Sequence, residues 1–229
     1  MATVSEPPVP TVPSHKVNGN RALQGVTKPE RTAAPAAPAT PEWGNAAPLA
    51  LSALAVTTFI LSMVNANAVN AGVAPVVYAV ALMLGGGIQL IAAIILLRTG
   101  NTLTGVIFGG FAGFYLSLFA LAQWFLKDVP AAQAGHALGL FLYAFGIFAF
   151  VLLAGSLRTN AVLVLTLALA VILVFFLAAG HYGANTTLIH WGGYLGIAAS
   201  ACLFYTALSD LCEIAYGRVV FPVWSLAKR

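Results

Sequence analysis

The chain has 229 residues, of which 60% are hydrophobic and only 7% are charged, and its formal net charge is +4. A soluble domain of this size is typically about one quarter charged, so the composition excludes a chain surrounded by water on all sides. The basic residues are scattered along the sequence, which gives no support for a nucleic-acid-binding surface. We therefore expect an integral membrane protein.

Residues 1–43 differ in composition from everything that follows. They hold eight of the twelve prolines, together with Ala, Thr and charges of both signs. The region lacks the continuous apolar stretch of a cleavable signal peptide. It predicts a disordered Pro- and Ala-rich tail, which is either a solvated extension or a binding site for a regulator.

Six apolar segments follow, each long enough to cross a bilayer as a tilted helix. Backbone groups cannot stay unpaired in lipid, and the alternating pattern of a β-barrel is absent, so we predict an all-α bundle of six transmembrane helices. The segments span residues 46–69, 74–97, 103–126, 134–157, 161–180 and 187–214. Together they form a transmembrane domain over residues 44–217, and residues 218–229 form a short C-terminal tail.

The positive charges predict the orientation. Arg98, Arg158 and Arg218 follow the second, fourth and sixth segments, whereas the other side carries only Lys127, which is offset by Asp128. The positive-inside rule then places both termini in the cytoplasm and the protein in the plasma (inner) membrane as a multi-pass protein. The three arginines are also sixty residues apart. This spacing indicates either three repeated hairpins around a central pore or simply hairpins of similar length.

Polar side chains inside apolar segments are costly in lipid, and so they are candidates for function. The predicted substrate path consists of uncharged residues near the helix starts and in mid-span, including apolar residues of the first turn of helix 1. These residues are Asn45, Pro48, Leu49, Thr57, Gln89, Tyr115, His190 and Tyr194. Asn45 can cap the first helix, and a helix N-terminus attracts a carboxylate. The alternative for the hydroxyls is hydrogen bonding between helices, and aromatic residues near helix ends also act as interface anchors.

Asp210 and Glu213 are the two acids within the six segments. Their spacing of three residues places them on one face of the last helix, near its cytoplasmic end. They either pair with Arg98 or Arg158 at the same depth or take part in proton coupling.

Motifs for other kinds of chemistry are missing from the sequence. There is no G-x-x-x-x-G-K-[ST] nucleotide-binding motif and no Ser/His/Asp set or H-x-x-x-H metal spacing on one helical face. Cys202 and Cys212 fit no metal or redox motif. We therefore predict no enzyme activity, no cofactor and no metal.

Several spaced motifs over about four fifths of the chain resemble those of the acetate uptake transporter family, also called the succinate–acetate permeases. The first is N-P-x-P-L-G-L at the start of helix 1, which stands here as Asn45-Ala46-Ala47-Pro48-Leu49-Ala50-Leu51. The others are Thr57-Thr58, Gly85 to Gln89 (G-G-x-x-Q), Gly100-Asn101-Thr102, Ile189 to Gly196 (I-H-x-G-G-Y-x-G), Tyr216-Gly217-Arg218 and Phe221-Pro222-Val223-Trp224.

The resemblance implies six-helix protomers assembled as a homohexamer, each with its own pore for acetate, succinate or other short carboxylates. It also implies a hydrophobic constriction of Phe, Tyr and Leu, whose places fall here on Leu54, Phe111 and Ala170. Leu54 and Ala170 are smaller than the family residues, and Phe111 lacks the tyrosine hydroxyl. An uncharged throat suits conduction, which needs weak binding.

Two other functions remain open from the sequence. An apolar throat without fixed charge would equally admit ammonia or another small neutral solute. A protein of a different class, a non-transporting membrane scaffold or acetate sensor, would use the long N-terminal tail. For an acetate carrier, the sequence leaves open whether flux is passive or coupled to protons.

Overall fold

The computed structural model describes residues 43–226, and six helices account for most of this range. They are α1 (Ala47–Asn65), α2 (Pro75–Arg98), α3 (Thr102–Asp128), α4 (Ala131–Ser156), α5 (Ala161–Tyr182) and α6 (Thr186–Tyr216). Each is long and apolar enough to cross a membrane, and each overlaps one predicted segment, so the predicted six-helix fold is confirmed. The predicted N-terminal tail, apart from Trp43, and the last three residues of the C-terminal tail lie outside the described residues.

Residues with restricted or permissive backbones fix the helix ends. Pro48 and Pro75 lie in the first turns of α1 and α2, where a missing N–H breaks no helical hydrogen bond. Asn160 and Asn185 cap α5 and α6, because each side-chain oxygen accepts the backbone N–H three residues ahead, at 2.8 Å and 3.2 Å. Gly217 ends α6 in the left-handed conformation, with φ of 66°.

Small residues let α1 and α6 approach closely. Gly193 on α6 faces the backbone of Ala66, which directly follows α1, and a Cβ at this glycine would lie only 2.6 Å from the Cα of Ala66. One turn along, Gly196 faces the side chain of Ser62 in the same way. Helices in lipid gain little from hydrophobicity and pack through such surfaces. α5 packs along both α6 and α4, and α2 packs along α3.

Aromatic side chains, rather than close backbone contact, join α3 to α4. The ring of Phe114 lies 4.6 Å from that of Phe145 and is stacked 5.4 Å from that of Phe141. Phe111 is 6.1 Å from Phe145, which in turn contacts Phe148 at 5.4 Å. These rings fill a space that small residues would leave open, and we call this set the aromatic wall.

Two stretches of π-helix widen the bundle locally, at Ala81–Ile88 in α2 and Leu121–Phe125 in α3. Such wide turns are rare in proteins as a whole, but those that do occur often lie at functional sites. The first contains Gly85, whose missing side chain leaves room for a neighbouring ring. A Cβ there would lie 2.7 Å from the ring of Tyr115 and 2.9 Å from the methyl group of Thr57.

Residues 217–226 return across the ends of α5 and α6, and we call them the C-terminal strap. The hydroxyls of Tyr205 and Ser209 on α6 donate to backbone carbonyls of the strap at 2.8 Å and 2.7 Å. At the start of α5, the N–H of Ala161 donates to the carbonyl of Trp224 at 2.9 Å. The strap therefore ties α5 and α6 together at one end of the bundle.

Candidate functional site: a central cavity

An apolar cavity of about 60 Å³ lies inside the bundle between α1, α3, α5 and α6, and we call it the central cavity. Its lining runs from Leu51 to Asn65 on α1 and from Leu163 to Leu177 on α5. At a rise of 1.5 Å per residue, this is about 21 Å along each helix. Since the hydrocarbon core of a bilayer is about 30 Å thick, the lining covers roughly two thirds of a crossing.

Leu54, Phe111 and Ala170 come from three different helices and all line the central cavity. All three are largely buried, and none is more than 9% exposed. Phe111 is held from behind by Phe145 of the aromatic wall. The structure thus brings the three expected constriction residues together around one space, and their function as a constriction stays a prediction.

The polar groups of this cavity are uncharged. Within residues 43–226, its wall contains no Lys, Arg, Asp or Glu, and its polar side chains are Thr58, Ser62, Asn65, Tyr115 and Thr166. Thr58 on α1 and Tyr115 on α3 share a hydrogen bond of 2.8 Å between their hydroxyl oxygens. Thr166 donates to the carbonyl of Val162 in its own helix at 2.7 Å. The cavity can therefore offer a solute hydroxyl and amide groups, but no fixed charge.

Asn45, Pro48 and Leu49 lie at the start of α1. The side-chain oxygen of Asn45 accepts the N–H of Ala47 at 3.0 Å, so this asparagine satisfies an N-terminal donor of the helix. Pro48 is buried in the first turn, whereas Leu49 is 48% exposed and points away from the core. None of the three is part of the cavity wall, whose first residue on α1 is Leu51.

Thr57 and Gln89 are both fully buried and lie outside the cavity wall. The hydroxyl of Thr57 donates to the carbonyl of Ala53 in its own helix at 2.8 Å. The amide of Gln89, on α2 directly after the π-helical stretch, has no hydrogen-bond partner for either its nitrogen or its oxygen. A buried amide without partners is destabilising by about 1–3 kcal/mol per group, so Gln89 is under strain in this conformation.

His190, Tyr194, Asp210 and Glu213 on α6 are also outside the cavity wall. Tyr194 is 52% exposed, and its ring contacts that of Trp191 edge-on at 5.9 Å, the arrangement of an interface anchor. His190 and Asp210 are half-buried, and Glu213 is exposed in the last turn of the helix. The structure does not bring these side chains to the central cavity.

A second cavity, of about 190 Å³, lies where α1 and α5 end and α2 begins. Its polar lining consists of Asn65, Tyr78 and His181, and the rest is aliphatic or aromatic. We call it the vestibule. It shares Leu61, Asn65, Phe114 and Leu177 with the central cavity, so only these side chains separate the two spaces.

The sequence reasoning selected Thr57 for the path, whereas Thr58 is the threonine in the cavity wall. The cavity residues on α1 are Leu51, Leu54, Thr58, Leu61, Ser62 and Asn65, which lie on one face of the helix. Thr57 and Thr58 both lie three or four residues from Leu54 and from Leu61, so the spacing alone does not choose between them.

A metal site has no support in this structure. Among residues 43–226, no group of three or more His, Cys, Asp or Glu side chains is arranged to hold a metal ion. The polar side chains that line the central cavity and the vestibule carry hydroxyl groups, an amide and an imidazole. Such groups bind small polar solutes by hydrogen bonds.

Comparison with known proteins places this architecture in a family. The model of the GPR1/FUN34/yaaH family matches residues 25–228. The chain is 36% identical over 199 residues to the meiotically up-regulated gene 86 protein of Schizosaccharomyces pombe, covering 80% of this chain and 65% of that protein. It is 31% identical over 176 residues to the ammonia transport outward protein 2 of Saccharomyces cerevisiae, covering 74% of this chain and 62% of the relative. It is 29% identical over 182 residues to the succinate-acetate/proton symporter SatP of Escherichia coli, covering 78% and 94%.

A solved structure described as the bacterial acetate channel SatP has the same fold. It superposes with a TM-score of 0.74 at 26% sequence identity, covering 80% of this chain and 99% of that chain. The chain thus spans just under two thirds of the length of the two fungal relatives and nearly all of the bacterial ones. Six membrane-crossing helices and a family match over most of the sequence lead to one conclusion: the chain is a multi-pass membrane protein that belongs to the GPR1/FUN34/yaaH family.

Proposed function

We propose that this protein transports acetate and similar short carboxylates across the membrane through the central cavity. The observation that carries the proposal is the cavity itself, which runs about 21 Å along α1 and α5 without a charged side chain. A fixed positive charge would hold a carboxylate too tightly for rapid release, and conduction needs binding that is weak and divided among several sites. Similarity to the bacterial acetate channel and symporter supports the same substrate class.

The size of the central cavity favours acetate over larger acids. A cavity needs roughly 10–15 Å³ to hold one water, so about 60 Å³ leaves room for a small solute such as acetate. We propose that Leu54, Phe111 and Ala170 form the throat. The Thr58–Tyr115 hydroxyl pair then supplies hydrogen bonds to a carboxylate or carboxylic acid within it.

We place one mouth of the path at the start of α1. There the positive end of the α1 helix dipole favours a carboxylate, while Asn45 accepts the N–H of Ala47 and Pro48 restricts the backbone of the first turn. Gln89 has a role in this proposal only in a second conformation, in which its unpaired amide finds a partner on the path. The strain at Gln89 and the π-helical stretch beside it support such a movement.

The direct test is uptake of labelled acetate into proteoliposomes that contain the purified protein. We expect saturable uptake above that of protein-free liposomes, and a strong reduction in the variant Ala170→Phe, which fills the throat. Ala198→Phe on the exposed side of α6 is the matched control. Failure of the wild-type protein to move acetate would reject the proposal.

Ammonia is the second candidate solute, because the chain is 31% identical to a yeast protein named for ammonia transport. An apolar cavity without fixed charge suits a small neutral molecule as well. The same proteoliposomes separate the two functions when ammonium is added as a competitor and internal pH is followed. Ammonia flux without acetate flux would replace the first proposal by the second.

We further propose that the protein is a transporter and not an enzyme, since the relatives with functional names are transporters or channels. A scaffold or sensor that uses the N-terminal tail is the remaining rival. Deletion of residues 1–40 tests it, because a transporter is expected to keep its acetate flux without the tail. Loss of signalling with unchanged flux would assign the tail a separate role.

A more detailed question is whether acetate transport is coupled to protons through Asp210 and Glu213. Asp210 is half-buried near the end of α6, where a carboxyl group is able to exchange a proton with water. We expect Asp210→Asn to abolish the stimulation of acetate uptake by an inward proton gradient. Glu213→Gln tests the exposed second acid of the pair in the same assay. Stimulation that persists in both variants would exclude this pair from coupling.

For assembly and orientation we propose a homohexamer in the plasma membrane, with a pore in each protomer and both termini in the cytoplasm. The family resemblance supports the hexamer. The arginines that follow α2, α4 and α6 support the orientation through the positive-inside rule. Native mass spectrometry measures the number of protomers in the assembly. Labelling of single cysteines introduced at Gly100 and Gly183, from each side of the membrane, measures the orientation.

A further inference from the structure

The vestibule has a chemical character that the central cavity lacks. Asn65 at the end of α1, Tyr78 in the first turns of α2 and His181 near the end of α5 all contribute to its lining. An amide, a phenol and an imidazole offer hydrogen-bond donors in a space otherwise walled by apolar side chains. In contrast to the central cavity, one of these groups, the imidazole of His181, is able to take up a proton.

The vestibule adjoins the central cavity. The two spaces share Leu61, Asn65, Phe114 and Leu177 in their linings. The vestibule lies at the end of the bundle opposite to Asn45 and the C-terminal strap, because α1 and α5 both end there. On the proposed path, a solute therefore passes His181 at one end and the start of α1 at the other.

Among the described residues, the vestibule lining provides no Asp or Glu that would compete with a ligand for His181. Tyr78 is the titratable group that faces it from α2. His136 on α4 packs its ring 4.6 Å from the ring of Tyr182 and pairs with the side chain of Gln133. Other titratable groups at this end of the bundle are Lys127 and Asp128 at the end of α3, Tyr143 on α4, and His190 and Tyr194 near the start of α6; Lys127 and Asp128 are exposed.

We propose that the vestibule is a binding site for short mono- and dicarboxylates, in which protonated His181 pairs with the carboxylate while Asn65 and Tyr78 donate hydrogen bonds. This site rests on the proposed transport function and adds a pH-dependent loading step to it. At about 190 Å³, the vestibule is about three times as large as the central cavity of about 60 Å³. A four-carbon dicarboxylate therefore fits the vestibule but not the throat, and succinate acts mainly as a competitor of acetate.

The test measures labelled-acetate uptake into proteoliposomes between pH 5.5 and pH 7.5, with protein-free liposomes as background. A charge-assisted hydrogen bond is stronger than a neutral one, so we expect the half-saturating acetate concentration of the wild type to be about tenfold lower at pH 5.5 than at pH 7.5. His181→Gln keeps hydrogen-bonding capacity without the charge. We expect it to lose this pH dependence and to retain its maximal rate.

His136→Gln is the matched control, because His136 lies at the same end of the bundle but is not among the residues that line the vestibule. It is expected to keep the wild-type pH profile, which also controls for the protonation of acetate itself. In a second measurement, unlabelled succinate is expected to inhibit acetate uptake at pH 5.5 in the wild type and about tenfold less effectively in His181→Gln.

The outcomes separate the two proposals. Acetate uptake with the same pH profile and the same inhibition by succinate in His181→Gln and in the wild type would overturn the vestibule site and leave transport intact. A wild type without acetate uptake, but still binding labelled succinate in detergent in a His181-dependent manner, would overturn transport and leave the site. A lower maximal rate with an unchanged pH profile would assign His181 a purely structural role and also overturn the site.

Discussion

Replacement of Leu54 by alanine offers the sharpest test of the throat. Leu54 is 5% exposed and lines the central cavity opposite Phe111 and Ala170. The substitution removes about three carbon atoms from the wall. Added to the present cavity of about 60 Å³, this widens the path toward the size that a larger acid such as succinate needs.

We therefore expect Leu54→Ala to raise succinate uptake relative to acetate uptake by about tenfold, which corresponds to a barrier lowered by about 1.4 kcal/mol. The assay is competitive uptake of the two labelled acids into proteoliposomes. Large-to-small substitutions at buried leucines are destabilising by about 2–5 kcal/mol. Since one side of Leu54 already faces a cavity, we expect a loss near the lower limit, and the variant should stay folded.

Leu49→Ala is the matched control, because Leu49 lies on the same helix, is 48% exposed and is not part of the cavity wall. It makes the same chemical change without enlarging the path. An unchanged succinate-to-acetate ratio in a folded Leu54→Ala protein would refute the assignment of Leu54 to the throat. An equal rise in both variants would trace the effect to the helix rather than to the cavity.

Three further substitutions test the polar groups and the packing. Tyr115→Phe removes the hydroxyl that bonds Thr58 and should raise the half-saturating acetate concentration about fivefold, whereas Tyr194→Phe, outside the cavity, should not. Gln89→Leu removes two unpaired buried polar atoms, so we expect the protein to be more stable by about 1 kcal/mol or more and to unfold at a higher temperature, while acetate uptake falls. A less stable protein would contradict the strain at this amide. Gly193→Ala places a Cβ against the α1 end and should be destabilising by about 1–3 kcal/mol, whereas Gly113→Ala meets nothing within 4 Å and should unfold like the wild type.

The sequence was sufficient for the six helices because lipid leaves the backbone few choices. A segment of about twenty apolar residues must satisfy its own hydrogen bonds, and short polar breaks such as Arg98 to Thr102 mark where it leaves the bilayer. The predicted cap at Asn45 was wrong by one position: Ala46 is the N-cap of α1, and Asn45 accepts the N–H of Ala47 from the position before it. The family motifs located Leu54, Phe111 and Ala170, which the structure brings to one cavity.

Positions that depend on the partner helix were harder to predict. Thr57 and Thr58 are neighbours with the same side chain, and only the placement of α3 and its Tyr115 decides which one reaches the cavity. Gln89 is polar and central in its segment, yet α2 contributes no residue to the central cavity. His181 acquires its surroundings from the ends of several helices, and such a meeting of chain ends has no periodic signal in the sequence.

The two flanks of the bundle are held together by different forces. On one flank, hydrogen bonds from the C-terminal strap join α5 and α6 to each other. On the other, α3 and α4 meet through phenylalanine rings, which slide and rotate without breaking any hydrogen bond. Phe111 belongs to this softer flank, so the width of the proposed throat can vary with side-chain rotation alone. Opening and closing of that throat would then need no separation of helices.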